Sequence, residues 1–493
     1  MNKIINSFEK IKKNKKIVLA HGVFDVFHVG HKRHLEIAKS YGEILVVSLT
    51  SDKHVNKGPG RPFFNENLRA ELISSLGFVD FVYINNNETP IKLIHDLKPN
   101  FYFKGSDYKD SKDDVTGNIL KEKRAVEKNG GKIIYTEDIE FSSSNIINNI
   151  FSSNDINKKY KNKSSTKKKI FQEIKKLEKI KVSVIGEIIF DEYKFITELD
   201  KPGKENIQSV RYDYQESYVG GIFPIAKLAS QFALDVEAIC VGNFDKKQIG
   251  LLKKNKSSNL KCNIFINKFH TITKSRFVNK NNKKLFEEYI LNGEESFNDI
   301  KIEKQIQKII TKSDLVIVGD FGHGLINKSL KKVLIKNSKF LAVNAQTNSG
   351  NRGFNLITKY KKADFVCLDK LEIKLALAER NKSISQLIDI LFKKIKTNYI
   401  LTSKGSEGLE IALKKRNKIK KFELPAFKLD VVDTLGAGDM VFALSSLLVK
   451  NKCDIELIAL LGNLIGALQT TIVGHSSIIS KKKFLKALTY TLK

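Results

Sequence analysis

The chain has 493 residues, 41% of them hydrophobic, which is enough to bury two or three separate cores. Its formal net charge of +32 comes from lysines spread along the whole chain, with only nine arginines. Nucleic-acid readers usually depend on arginine, so this charge predicts a generally basic surface and no nucleic-acid partner. Such a surface would attract phosphorylated small molecules.

Cysteine spacing and hydropathy exclude further classes of protein. The cysteines Cys240, Cys262, Cys367 and Cys453 stand singly, with no C-x-x-C pair, so neither a zinc site nor a disulfide framework is predicted. No stretch approaches the ~18 uninterrupted apolar residues of a membrane span, and the first residues contain no apolar signal segment. We therefore expect a cytoplasmic protein with no membrane partner.

The first part of the chain alternates short apolar runs with amphipathic segments. The run 16–22 ends in a turn, and residues 31–42 then have helical spacing that Gly42 terminates. This βαβα series predicts a parallel sheet covered by helices, a Rossmann-like α/β domain over residues 1–150. Its further strands are predicted at 43–52, 78–84, 100–105 and 130–137, with helices at 66–77 and 89–99.

Residues 151–180 are rich in Lys, Ser and Asn, and we expect a basic linker that finishes as a lead-in helix. A second α/β series begins at residue 181 and ends in a helix-rich tail, so residues 181–493 are expected to form one further α/β domain. Its strands are predicted within 181–193, 235–243, 314–324, 339–346, 363–369 and 398–408.

Residues 22–31 form the string G-x-F-D-x-x-H-x-G-H at the first strand-to-helix junction. Ligands of α/β sheets bind at the carboxyl ends of strands, and a helix start offers N–H groups to phosphate. His28 and His31 are three residues apart, so both side chains can face one phosphate group. A metal site is the alternative, but no cysteine and no nearby carboxylate pair completes a four-ligand set. His34 is expected to be structural, and His21 receives no role.

This string resembles the signature of the cytidylyltransferase-like nucleotidyltransferases, which transfer a nucleotidyl group to a phosphate and release pyrophosphate. The resemblance implies that His28 and His31 stabilise the transition state, while Asp25 shapes the turn or helps to hold the metal. With later segments it extends over residues 15–150 to the nucleotidyltransferase half of bifunctional heptose-phosphate kinase/ADP-heptose synthases. The nucleotide-binding residues that it implies are Gly22, Phe24, Asp25, Gly30, Lys57, Arg61, Lys104 and Ser143.

Residues 431–441, VVDTLGAGDMV, predict a strand, a glycine-rich turn and a helix start. The successive amides of residues 436–438 would face an anion, and the carboxylate of Asp439 could reach a hydroxyl group. An ordinary glycine-rich turn with an aspartate cap is the alternative.

The string D-T-x-G-A-G-D is similar to the signature of the ribokinase-like, or PfkB, carbohydrate kinases, so a ribokinase-like fold is expected for the second domain. The resemblance implies that Asp439 is the general base toward the sugar hydroxyl. The implied nucleotide-binding residues are Gly436, Ala437, Gly438, Thr402, Gly405 and Gly408; the implied sugar-binding residues are Asp191, Gly220, Gly221, Lys274 and Arg276; the implied metal ligand is Glu372.

Three positions depart from the family pattern. Pro224 stands near the place of the asparagine that follows the Gly-Gly pair. Asp369 replaces the asparagine of the N-x-x-E motif that ends at Glu372. The segment 344–351, NAQTNSGN, replaces the D-P-K-like segment of heptose kinases. These changes concern the sugar more than the catalytic machinery.

A sugar kinase and a nucleotidyltransferase perform consecutive steps, so the two resemblances together imply a bifunctional enzyme of activated-sugar biosynthesis. The implied steps are phosphorylation of a heptose or heptose phosphate at the anomeric hydroxyl, then adenylyl transfer to the sugar 1-phosphate. Both would use Mg²⁺ and ATP, with CTP as the alternative nucleotide for the second step. Two other functions stay open: a cytidylyltransferase and kinase for a polyol phosphate, and a transferase with a non-catalytic kinase-like module. A homodimer is one option for the assembly.

Overall fold

The computed structural model of the chain describes residues 3–9, 11, 14–55, 62–105, 118–136, 164–200, 207–254, 257–281, 283–416, 418–427, 431–472 and 477–492. Three predicted nucleotide-binding residues, Lys57, Arg61 and Ser143, lie outside the described residues. The chain divides into two compact units, one made of Met1–Lys163 with Lys482–Lys493 and the other of Ser164–Lys481.

The first unit is built on a six-stranded sheet in which all neighbouring strands pair in parallel. Its strands are β1 (Ile4–Ile5), β2 (Ile17–Gly22), β3 (Ile44–Thr50), β4 (Phe81–Asn85), β5 (Phe101–Gly105) and β6 (Lys132–Thr136), and its helices are α1 (Val29–Ser40), α2 (Glu66–Ser74), α3 (Ile91–Leu97) and α4 (Asn118–Lys128). The strand order is β1-β4-β3-β2-β5-β6, so the strand that carries the histidine motif is central. The predicted parallel α/β sheet is confirmed.

Both faces of this sheet are covered because side chains alternate along each strand. In β2 the side chains of Val18 and Ala20 join one core, whereas those of Ile17 and Leu19 join the other. This two-sided burial explains why the strand is a continuous apolar run. The polar functional side chains are consequently confined to the loops at the strand ends.

The second unit contains two sheets. Its strands are β7 (Lys181–Gly186), β8 (Ile188–Glu198), β9 (Val210–Gly221), β10 (Asp235–Gly242), β11 (Leu260–Ile266), β12 (Thr271–Val278), β13 (Lys284–Asn292), β14 (Leu315–Asp320), β15 (Leu341–Ala345), β16 (Phe365–Asp369), β17 (Tyr399–Ser403), β18 (Leu409–Lys415) and β19 (Lys418–Leu424). Its helices are α5 (Ser164–Lys176), α6 (Ile222–Ala229), α7 (Lys246–Lys254), α8 (Ile300–Ile310), α9 (Lys328–Asn337), α10 (Lys370–Leu377), α11 (Ile384–Lys394), α12 (Ala437–Lys450) and α13 (Ile455–Gln469).

The larger sheet has nine strands in the order β11-β10-β7-β14-β15-β16-β17-β18-β19. The pairs from β11 to β17 are parallel, so the carboxyl ends of β14, β15, β16 and β17 lie side by side at one edge. Only the last two pairs are antiparallel. The six predicted strand regions of this unit all contain a strand of this sheet.

The smaller sheet has four strands in the order β13-β12-β8-β9, and the sequence did not predict it. The region 181–193 was expected to be one strand, but the chain breaks at Glu187 and sends β8 into this second sheet. Strands β9 and β13 are mostly exposed on one or both faces, so their sequences lack the apolar run that marks a buried strand. All five predicted sugar-binding residues lie on this sheet: Asp191, Gly220, Gly221, Lys274 and Arg276.

The final helix, α14 (Lys481–Thr491), belongs with the first unit from Lys482 onward. Lys482 forms an ion pair of 2.8 Å with Glu88, which lies in the loop after β4. The second unit is therefore inserted, in sequence, between two parts of the first. Among the described residues no helix is both long enough and apolar enough to cross a bilayer.

A buried arginine holds the loops at the carboxyl edge of the first sheet. Arg69 of α2 is 2% exposed, and its Nη1 donates to the carbonyl oxygen of Val23 at 2.6 Å. Its Nη2 donates to the carbonyl oxygen of Thr50 and to the Asp52 carboxylate, and its Nε to the carbonyl oxygen of Phe64. One guanidinium thus joins the ends of β2 and β3 to the start of α2.

We expect Arg69→Leu to destabilise the first unit by about 3–5 kcal/mol, because it leaves three carbonyl oxygens and one carboxylate without their donors. Native-state hydrogen exchange of the full chain measures this, since peptides from β2 and β3 report the first unit and peptides from β14 and β15 serve as an internal reference. Arg33→Leu, on the exposed face of α1, is the matched control and should change stability by less than ~0.5 kcal/mol. Unchanged protection in β2 and β3 of Arg69→Leu would contradict this role.

Two candidate active sites

The turn after β2 is strained and is held by a buried carboxylate. Phe24 and Val26 have positive φ angles of 49° and 45°, which non-glycine residues adopt at a cost. The Asp25 side chain is fully buried, and it accepts hydrogen bonds from the backbone N–H groups of Phe63 at 2.9 Å and Phe64 at 3.1 Å. Of the two roles expected for Asp25, these contacts support shaping of the turn.

The paired histidines close the first turn of α1 with a capping box. The Nδ1 atom of His28, the N-cap residue, accepts from Gly30 N–H at 3.1 Å, and the Nδ1 atom of His31 accepts from His28 N–H at 3.3 Å. The two rings stack with their centroids 4.0 Å apart. Because each Nδ1 is an acceptor, each neutral imidazole carries its proton on Nε2. Each ring can therefore donate one hydrogen bond through Nε2, which is the kind of contact that phosphate oxygens accept.

Aromatic side chains fix the orientation of this pair. The ring of Phe24 meets His31 edge-on at 5.5 Å, and Phe27 lies 5.4 Å from His31 on another side. Phe24 is only 6% exposed and belongs to the core of the first unit. Its position supports His31 and argues against a direct contact with a nucleotide. Gly22 lies against the Phe24 ring at the end of β2.

Lys104 and His21 have structural partners in the same region. The Lys104 ammonium forms a buried ion pair of 2.9 Å with Glu122, so its charge is compensated where the resemblance implied a phosphate contact. His21 lies 3.0 Å from the Ser48 hydroxyl through Nδ1 and 3.4 Å from the Thr50 hydroxyl through Nε2. Burial, together with the charges of Lys104 and Lys486, lowers the pKa of His21 well below its ordinary value. It is a neutral link between β2 and β3.

In the second unit, α12 begins without a side-chain cap. Its N-cap residue, Gly436, has a φ of 78°, and Gly438 is exposed with open space around its Cα. The Ala437 N–H donates to the carbonyl oxygen of Thr434 at 3.3 Å, whereas the exposed Gly438 N–H lies where the positive end of the helix dipole would favour an anion. The predicted strand at 431–433 is wrong, because these residues form an irregular segment whose amides bind the carbonyl oxygen of Thr470.

Asp439 is the third residue of α12, and a side chain from another strand end holds it. Its Oδ1 accepts a hydrogen bond of 2.6 Å from Nε2 of Gln346, which directly follows β15. Asp439 is 8% exposed. No role was predicted for Gln346, although the polar run NAQTNSGN at the end of a buried strand was a usable signal. This run connects the carboxyl ends of three neighbouring strands to the start of α12.

Glu372 is the third residue of α10 and completes a capping box with Asp369. Its carboxylate accepts from the N–H groups of Asp369 at 2.8 Å and Thr347 at 3.1 Å, with Asn344 Nδ2 at 3.4 Å. Burial and the nearby Asp369 charge raise the pKa of Glu372 to about 8. The replacement of the family asparagine by Asp369 thus preserves the helix start and places a second acidic group beside Glu372.

The sugar-binding residues predicted on the smaller sheet are brought together, but two of them bind each other. Arg276 Nη1 lies 2.5 Å from the Asp191 carboxylate, and its Nε lies 2.8 Å from Glu287. Lys274 pairs in register with Tyr289, and its ammonium lies 4.7 Å from the centroid of that ring. Arg276 is therefore neutralised, whereas Lys274 rests on an aromatic face.

The remaining predicted residues divide between loops and core. Gly220 and Gly221 end β9 and lead into α6, where Pro224 occupies the first turn and costs no intrahelical hydrogen bond. Gly405 and Gly408 lie in the turn between β17 and β18. The Thr402 side chain is fully buried beneath this turn, so it is not presented to a nucleotide.

Glu187 is a further residue for which no role was predicted. It lies between β7 and β8, and its carboxylate accepts from the N–H groups of Phe321 at 3.0 Å, His323 at 3.2 Å and Leu325 at 3.3 Å. Burial and the neighbouring Asp320 raise its pKa to about 7. This carboxylate fixes the loop after β14 against the break between the two sheets.

Known proteins resemble the two parts of the chain separately. Residues 19–150 match the cytidylyltransferase-like family model. The bifunctional protein HldE of Aliarcobacter butzleri is 42% identical over 141 residues, covering 27% of this chain and 29% of that protein. HldE of Helicobacter pylori is 41% identical over 129 residues, covering 26% of this chain and 27% of that protein. The match thus spans less than a third of these relatives.

The second unit has the fold of the ribokinases. A ribokinase from Thermotoga maritima superposes with a TM-score of 0.51 at 16% identity, covering 63% of this chain and 99% of that one. A phosphofructokinase-2 mutant from Escherichia coli gives a TM-score of 0.51 at 12% identity, covering 64% of this chain and 99% of that one. Residues 179–482, more than half of the sequence, match the family model of the pfkB carbohydrate kinases. The chain therefore belongs to the pfkB family of carbohydrate kinases and carries a cytidylyltransferase-like region before its kinase region.

Proposed function

We propose that this chain is a bifunctional enzyme that phosphorylates a heptose-type sugar and then joins a nucleotide to the sugar 1-phosphate. The observation that carries the proposal is common to both units. In each unit a candidate reactive side chain, His31 or Asp439, is the third residue of a helix and so lies in its first turn. The similarity of the first region to bifunctional proteins HldE supports the pairing of the two steps. ATP serves both reactions, with CTP as the alternative nucleotide for the second.

In the nucleotidyl transfer, the sugar phosphate is already a nucleophile and needs no strong base. Negative charge develops on the α-phosphate and on the departing pyrophosphate. The Nε2–H donors of His28 and His31 would meet that charge, and the capping box holds them in place before the substrate arrives. Asp25 and Arg69 contribute indirectly, because they hold the loops around His28 and His31 in place.

In the phosphorylation, Asp439 would accept the proton of the sugar hydroxyl as that oxygen attacks the γ-phosphate. The start of α12, at the exposed Gly438, would stabilise the charge on the transferring phosphoryl group. Gln346 keeps the Asp439 carboxylate oriented through its hydrogen bond to Oδ1. The base and the anion-binding amides thus belong to the same helical turn.

Mg²⁺ fits the acidic pair at the start of α10. Burial and the charge of Asp369 raise the pKa of Glu372, and a divalent cation beside the two carboxyl groups would offset both effects. Asp369 and Glu372 would hold the ion partly through water, as Mg²⁺ sites with few carboxylates do. When bound, the ion neutralises charge on the nucleotide phosphates.

His28→Asn should lower kcat for pyrophosphate release by ~100-fold or more, because asparagine keeps the N-cap but removes the Nε2–H donor. The assay uses the full chain with ATP or CTP and a series of sugar 1-phosphates. Kinase turnover of the same variant is the internal control, and His34→Asn on the same helix is the matched one. A change confined to KM would show that His28 does not stabilise the transition state.

Asp439→Asn should lower kcat of sugar phosphorylation by ~10²–10⁴-fold, since the amide cannot accept the hydroxyl proton. ADP release by the full chain, with each sugar that the wild type phosphorylates, measures the loss. Asp389→Asn, which removes the partner of Lys421 on α11, is the control and should leave kcat unchanged. Full turnover by Asp439→Asn would mean that another group is the base.

A further inference from the structure

We infer that His270 and His323 form a hydroxyl-binding subsite of the kinase site, to which the sugar presents an uncharged end. The inference rests on the proposed kinase function and names the class of substrate that the site accepts. Neither histidine belongs to the motifs that identify the kinase family in this sequence.

His270 is a buried polar group whose hydrogen-bonding needs are not met by the part of the chain that the structure describes. It directly precedes β12 and is 3% exposed. Neither of its ring nitrogens makes a hydrogen bond of normal geometry, although the His323 backbone lies close enough to affect its pKa. Leaving a buried donor or acceptor unpaired destabilises the folded protein. A ligand that pairs with both nitrogens would remove this cost.

His323 lies next to His270, on a loop whose backbone is held by Glu187. The centroids of the two imidazole rings are 6.5 Å apart. Gly322 and Gly324, with φ angles of 73° and 102°, flank His323, and a Cβ at Gly324 would collide with the carbonyl oxygen of Glu295. The His323 N–H is bound to Glu187. The two imidazoles are therefore neighbours, so the hydroxyl groups of one sugar end could contact both of them.

The subsite adjoins the segment that holds the catalytic base. His323 Nε2 lies 3.5 Å from Nδ2 of Asn348, and Asn348 follows Gln346, the partner of Asp439, by two residues. Because Asn348 Nδ2 also donates to the carbonyl oxygen of Phe321 at 2.7 Å, it is a donor toward His323 as well. His323 therefore accepts through Nε2 and keeps its proton on Nδ1, as a donor to a ligand.

Both imidazoles are neutral near pH 7. Burial and the charge of Lys274 lower the pKa of His323 to about 4, and burial lowers the pKa of His270. A neutral imidazole offers one donor and one acceptor, which matches a hydroxyl group. A phosphate group offers acceptors only and would leave the imidazole acceptor unpaired.

The neighbouring charges also favour an uncharged sugar end. Arg276 is bound to Asp191 and Glu287, and with Lys274 these four side chains sum to zero charge. Lys274 lies against the ring of Tyr289, and the centroid of that ring is 6.3 Å from the centroid of the His323 ring. Lys274 and Arg276, which were predicted to bind the sugar, therefore lie in surroundings with little net charge to hold a phosphate.

The test is calorimetric binding of a heptose, its monodeoxy analogues and its terminal phosphate ester to the full chain without ATP. We expect His270→Phe and His323→Phe to bind the heptose ~10–100-fold more weakly. The wild type should lose a similar factor with one deoxy analogue, and the variants should no longer discriminate against it. His270→Phe should keep or raise the melting temperature, because it removes unpaired polar atoms. Tyr399→Phe, at the opposite end of the sheet strands, is the control.

Unchanged affinity and discrimination in both variants would overturn the inference, as would absence of heptose binding to the wild type. Binding of the terminal phosphate ester more than tenfold tighter than the free heptose would overturn the uncharged end. The expected binding losses without any phosphorylation on addition of ATP would instead overturn the proposed kinase function and leave the subsite standing. Each idea therefore fails on a different result.

Discussion

The first turn of every α-helix contains N–H groups that the helix itself cannot satisfy, and this shortage organises both sites. In α1 and α10 the third residue, His31 or Glu372, returns its side chain to the cap and meets the need internally. In α12 no side chain does so, and the third residue, Asp439, is oriented by Gln346 instead. The difference decides whether a helix start is a rigid platform or an open binding surface for an anion.

The lysine-rich composition affects the pKa values of buried histidines. Lys104 and Lys486 help to lower the pKa of His21, and Lys274 does the same for His323. Buried imidazoles in such surroundings lose their proton readily and act as dipolar hydrogen-bonding groups. A basic protein can therefore use several histidines near phosphates and sugars without adding further positive charge to its sites.

Local patterns in the sequence were sufficient for five of the six strands of the first sheet, for six of the nine strands of the larger sheet in the second unit, and for the two signature loops. Strands β2 and β3 are apolar because both faces are buried, and the residues from His28 to His31 act within one helical turn. The missing features depend on partners distant in sequence: Arg69 binds Val23, Gln346 binds Asp439, and Glu187 binds the loop after β14. No spacing rule connects such pairs, and the half-exposed strands of the smaller sheet carry no strong apolar signal.

Because the chain leaves the first unit near Lys163 and returns to it at Lys482, the first unit is discontinuous in sequence. Translation must complete the whole kinase region before the last helix of the first unit exists. The first unit can therefore complete its fold only after the second unit has been synthesised, although each unit has its own sheet and core. A chain divided near Lys163 would give one fragment that contains the whole second unit and another that contains the first unit without α14.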